Sequence, residues 1–151
     1  MIINKEDIEQ YTNKQLELSK WHQITQQQIN RFADCTLDHQ FIHTNPKAAS
    51  KSPFGSTIAH GFLTLSMLSH FAESFVITIK GSYMNVNAGF EKIRFIQPVK
   101  VNSRIRAIAK MTSIEEVKDG QFKLQMDITV EIENEEKPAL IAKWNCMQLV
   151  K

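Results

Sequence analysis

The chain has 151 residues, of which 42% are apolar and 23% charged, and a formal net charge of +2. That length accommodates one domain with a sizeable core, expected over 1–151. Scattered lysines and arginines without interleaved aromatics exclude the usual nucleic-acid signature, and five glycines with no G-x-G-x-x-G or P-loop spacing exclude a phosphate-cradling loop.

The first residues, Met1 to Asp7, turn acidic and polar at once, unlike a secretory leader, so the expected address is cytoplasmic. Residues 24–35 predict a short helix, with Thr25 and Gln28 as a capping box and Ile29, Phe32 and Ala33 as its apolar stripe. Cys35 and Cys146 lie far apart without C-x-x-C spacing, which points to two ordinary thiols rather than a disulfide framework or zinc site. A polar stretch follows from Thr36 to Ser56, marked as turns by Asn45-Pro46 and Pro53-Phe54-Gly55, with room for one helical turn over 47–50. Residues 58–75 are apolar on every side: Ile58, Phe62 and Leu65 on one face, Leu68, Phe71 and Phe75 on another. Such a helix is expected to be buried. His60, His70 and Glu73 interrupt it, so no membrane span is expected.

The period then changes. Ile93 and Phe95 alternate with Lys92 and Arg94, and Ile105, Ala107, Ala109 and Met111 alternate with polar neighbours. After the hairpin signal Asp119-Gly120, Phe122 to Ile132 keeps a strict period of two, the mark of a strand with one wet face. A polar turn at 134–137 precedes a last strand from Ala139 to Val150. Helices first and a meander after predict an α+β fold. One very apolar helix and one apolar sheet face are solved most simply by an antiparallel sheet wrapped around a central buried helix, the hot-dog fold.

Asp38 and His43 sit in the polar stretch beside that helix. A carboxylate and an imidazole on one loop can share a water, one taking its proton and the other orienting it. Asp38 could equally cap a turn. In Ile58-Ala59-His60-Gly61, a helix beginning near Gly61 would offer unpaired N–H groups to an oxyanion, and the missing side chain would let a carbonyl approach. His60 and Gly61 are thus candidate oxyanion- and substrate-binding residues; alternatively, Gly61 relieves crowding and His60 caps the helix. Ser66 and Ser69 either face substrate or bond the backbone four residues back. His39, His43 and His60 lack the spacing of a zinc motif, so no metal is expected, and no G-x-S-x-G elbow is present.

Residues 32–69, FADCTLDHQFIHTNPKAASKSPFGSTIAHGFLTLSMLS, resemble the MaoC-like dehydratases, also called R-specific enoyl-CoA hydratases, in particular their nodulation protein N-like branch. The similarity extends to 21–26, 86–107 and 137–144. The resemblance implies a hot-dog homodimer that reversibly hydrates trans-2-enoyl-CoA to the R-3-hydroxyacyl thioester. It implies Asp38 and His43 as catalytic pair, Gly61 as the carbonyl-binding backbone, Gln40 in place of the family's Asn, and Ser69 near the site. No cofactor is implied beyond the coenzyme A or acyl carrier of the substrate itself. Leu37 stands where the family usually has Gly, and a positive φ there would strain it. Ser56 replaces the second Gly of P-F-G-G. Two other outcomes belong to the same fold: an acyl-CoA thioesterase and a non-catalytic acyl-thioester-binding protein. Lys92 and Arg94 either meet nucleotide phosphates or form an exposed strand face.

Overall fold

The computed structural model describes residues 1–151. In chain order it runs through β1 (Ile2–Ile3), a 3-10 turn (Lys5–Tyr11), β2 (His22–Gln23), α1 (Gln26–Thr36), α2 (Phe41–Thr44) and α3 (Pro46–Ala49). It continues through α4 (Gly61–Ser66), α5 (Leu68–Phe75), β3 (Thr78–Ile79), β4 (Ser82–Phe95), β5 (Arg104–Lys118), β6 (Gln121–Ile132) and β7 (Leu140–Val150). The large sheet is antiparallel in the order β2-β5-β6-β7-β4, while β1 and β3 pair in parallel beside it.

The strongest alternation yields the best-paired strands. Ile105, Ala107, Ala109 and Met111 of β5 face inward, as do Phe122, Leu124, Met126, Ile128 and Val130 of β6. Asp119-Gly120 joins the two strands, with Gly120 at φ +68°, the left-handed conformation that a two-residue hairpin favours. α5 lies on the apolar face, burying Leu68, Phe71 and Phe75 in the same core as β5 and β6. Fully burying a side chain such as Phe71 contributes about 1.5–3 kcal/mol. The result is the expected α+β hot-dog arrangement, a curled sheet around a helix.

Two local expectations change. The segment 58–75 is not one helix. Residues 58–60 are extended, with Ile58 bridged to Lys100, and the helix starts at Gly61 and is interrupted at Met67. Nor is it buried on all sides. Its buried face carries Leu63, Met67, Leu68, Phe71 and Phe75, while Phe62 is 67% exposed and Ser66 and Ser69 are exposed as well. No helix is long and apolar enough to cross a membrane.

Candidate active site

α1 begins where its cap is written: the Thr25 hydroxyl accepts the Gln28 N–H at 3.2 Å. The Gln28 side chain does not reach back to complete the box; it bonds His22 and Met67 instead. The helix ends at Leu37, whose φ of +62° and ψ of +19° lie in the left-handed region. This is the conformation that makes glycine common at such an end. The turn redirects the chain so that Asp38 follows on an exposed bend. Asp38 Oδ1 accepts the Gln40 N–H at 3.4 Å, the turn-capping role open to it from sequence.

Gln40 then starts α2, and its carbonyl accepts the His43 N–H at 2.9 Å. Its own side chain is exposed and makes no hydrogen bond; Gln40 serves the loop through its backbone. α2 turns His43 inward to 7% exposure. There His43 Nδ1 donates to the Ile58 carbonyl at 2.7 Å. A carbonyl can only accept, so the proton of a neutral His43 sits on Nδ1 and Nε2 carries a lone pair. Burial pushes the His43 imidazole below its ordinary value; the Ile58 bond opposes this, and the neighbouring His60 reinforces it. Gln26 secures the loop from behind, donating to the His43 carbonyl at 2.7 Å and accepting from the Thr57 hydroxyl.

His60 is 3% exposed and stacks on His43, with ring centroids 3.8 Å apart and planes 25° apart. Its Nε2–H donates to the Asp38 carbonyl at 2.9 Å and lies 4.0 Å from Asp38 Oδ2. Phe32 packs against its ring at 5.1 Å. Asp38, His43 and His60 place donor atoms within 4.8 Å of one another, close enough to ask whether they hold a metal. Both histidines have already committed one nitrogen to a carbonyl, and His60 Nδ1 is buried. That leaves the His43 Nε2 lone pair and the Asp38 carboxylate open, fewer than the three or four protein ligands of a zinc site.

Gly61 opens α4, so its N–H has no partner within the helix. A Cβ at Gly61 would stand 3.1 Å from the Phe95 ring, so crowding also favours glycine here. His43, Ala59, Gly61, Thr64 and Phe95 share a cavity of about 310 Å³. Ser69 lies elsewhere. It lines a separate, mostly apolar cavity of about 250 Å³ with Phe75, Met111, Leu124, Met126 and Trp144. Ser66 bonds the Phe62 carbonyl at 2.7 Å, as a helical serine does. The structure therefore gathers Asp38, His43, His60 and Gly61 and leaves Ser69 apart. It adds Ile58, Gln26, Thr57 and Phe95, whose roles at the site the sequence does not assign.

Residues 7–135 match the family described as MaoC like domain. The chain belongs to the MaoC-like domain family. Among relatives of this MaoC-like chain, Nodulation protein N of Rhizobium meliloti (strain 1021) is 43% identical over 143 residues, covering 94% of this chain and 89% of the relative. The 3-hydroxyacyl-thioester dehydratase Z of Mycobacterium tuberculosis (strain H37Rv) is 43% identical over 125 residues, covering 83% and 82%. In fold, the MaoC-like dehydratase from Rhodospirillum rubrum superposes with a TM-score of 0.78 at 16% identity, over 99% of this chain and 98% of that one.

Proposed function

We propose that this chain, a hydratase/dehydratase enzyme by family, reversibly adds water to trans-2-enoyl thioesters, giving R-3-hydroxyacyl thioesters. One observation carries the reading: the Ile58 carbonyl holds His43 by Nδ1 and so leaves Nε2 unprotonated, in an imidazole with a ring nitrogen within 4.8 Å of an Asp38 carboxylate oxygen. Two acceptors at that spacing suit the two hydrogens of one water. Water attacks Cβ as His43 Nε2 takes its proton. Electrons move through the double bond to the thioester oxygen, which the Gly61 N–H receives. The new imidazolium then returns the proton to Cα, and the enolate collapses to the thioester. Asp38 orients the water and stabilises the passing charge on His43.

The sequence does not decide these roles, although it favours Asp38 as base and His43 as the group that orients and donates; the allocation proposed here is the reverse. With Nδ1–H engaged, a resting His43 offers no proton at Nε2 and donates only after accepting one.

The substrate is an acyl-coenzyme A or acyl-carrier thioester, since both present the same thioester to the pair. The working unit is a homodimer. β4 is an edge strand whose segment 82–90 carries no charge and exposes Tyr83, Met84 and Val86, an edge suited to pairing.

The test follows loss of the enoyl chromophore of crotonyl-CoA and longer homologues. Asp38→Asn and His43→Gln are each expected to lower kcat by about two orders of magnitude, the scale of a lost acid–base group. Unchanged rates in both variants would falsify the assignment. Release of free thiol from a saturated acyl-CoA would instead show a thioesterase, and binding without turnover a non-catalytic acyl-thioester-binding protein.

A further inference from the structure

His60 is the polar group at the site that neither substrate contact nor packing explains. At 3% exposure it is closed to a ligand, which argues against the substrate-binding role considered for it from sequence. Packing alone would be served better by phenylalanine, because His60 Nδ1 is the one buried side-chain nitrogen or oxygen without a hydrogen-bond partner. A buried unpaired acceptor costs stability, and such a cost calls for a reason.

The reason lies in what Nε2 holds. The Asp38 side chain is 54% exposed, and its one side-chain hydrogen bond is the 3.4 Å contact with Gln40 within the same bend. The bend gains its grip on the body of the protein through the Asp38 carbonyl, which accepts from His60 at 2.9 Å. Two residues before His60, the Ile58 carbonyl fixes His43 at 2.7 Å. One extended segment, 58–60, therefore tethers both members of the pair. That segment is itself anchored: the Ala59 N–H donates to Val99 at 2.8 Å and the Ile58 N–H to Ile42 at 3.0 Å.

We propose that His60 is a positioning residue: its Nε2–H holds the Asp38 main chain while its ring backs His43, setting the gap across which the two share a water. This rests on the hydration reading above. Because the tether is to a carbonyl, the proton must sit on Nε2, and the unpaired Nδ1 is the consequence.

Two substitutions separate the tether from the packing. His60→Phe keeps a ring against His43 and Phe32 but removes the N–H. His60→Gln places an amide N–H at about the reach of Nε2 but removes the ring. With crotonyl-CoA, His60→Phe is expected to lower kcat about tenfold to a hundredfold, the cost of a misplaced catalytic group, with KM within about twofold. His60→Gln is expected to recover kcat to within a few-fold of the parent. If His60→Phe does not fold, His60→Asn, whose amide falls one bond short of the Asp38 carbonyl, takes its place with the same expected loss. A ring or Asn variant at parental kcat, or a Gln variant as impaired as they are, overturns the proposal.

Should the parent hydrate no enoyl thioester, the hydration reading fails by itself. The tether is then read by amide hydrogen exchange. His60→Phe, or His60→Asn in its place, is expected to speed exchange at Gln40, His43 and Thr44, and His60→Gln to leave it near the parental rate. Equal exchange in all forms overturns the tether.

Discussion

Leu37 holds a conformation that an L-residue adopts at a cost of roughly 1–2 kcal/mol. Its side chain is 81% exposed, so almost no burial offsets that cost. Glycine would remove the strain and give back about 0.5–1 kcal/mol through its freer unfolded chain. Leu37→Gly is therefore expected to stabilise the protein by about 0.5–1 kcal/mol in urea unfolding, while Leu37→Ala, which keeps a Cβ, gains nothing. Equal midpoints for the Gly variant and the parent would refute the strain. His43 gives the pH prediction. Its folded value is depressed below 6.5, so between the two values the unfolded chain binds more protons than the folded one. Its contribution to stability is complete above about pH 6.5 and is lost as pH falls toward the folded value. Activity follows the same group: the acid limb of kcat/KM is expected below pH 6.5 and absent in His43→Gln. A limb centred above 6.5 would contradict the burial of His43.

Among the elements, Gln148 of β7 shows how a buried amide stitches irregular chain to the sheet. It is fully buried, accepts the Ile79 N–H at 2.9 Å and donates to the Ile77 carbonyl. Gln148→Leu keeps the volume but strands both backbone groups, and is expected to cost about 2–4 kcal/mol by denaturant titration, since each buried unpaired group costs about 1–3 kcal/mol. A loss below 0.5 kcal/mol, the scatter of ordinary surface changes, would show that relaxation or water repairs them. Gln148 illustrates what sequence conceals, because its partners lie 69 and 71 residues away. β5 and β6 were legible because each alternates against one apolar face. Most of β4 was not: 83–88 lies on an edge, exposed on both faces, so no period of two is impressed on it. The break at Met67 carries no Gly or Pro to announce it. Asp38, His43 and Gly61 stand out as residue types in a polar loop and at a helix start. The Ile58 carbonyl and the His43–His60 stack arise from a return of the chain over 15–17 residues, which no local pattern records.

For the molecule as a whole, the inner strands β5, β6 and β7 have a neighbour on either side, with two register shifts between β5 and β6, and only the margins of the sheet lack a partner. At one margin, β4 is fourteen residues long and held only by β7, with bulges near Ser82, Asn87 and Phe90. Bulges discourage open-ended stacking of edges, while the uncharged first part invites one partner of matching shape. The strand ends at Phe95, whose ring lies against Gly61 and meets Phe62 edge-on at 5.9 Å. Edge and site are thus continuous through one aromatic side chain. In the proposed homodimer, catalysis then becomes subject to mass action. Specific activity measured over a dilution series is expected to fall at the concentration where sedimentation shows half the chains as monomers. Activity per chain that stays constant through dissociation would separate the two. The Phe95 contact would make the amount of protein in the cell, and not only its substrate, a determinant of turnover.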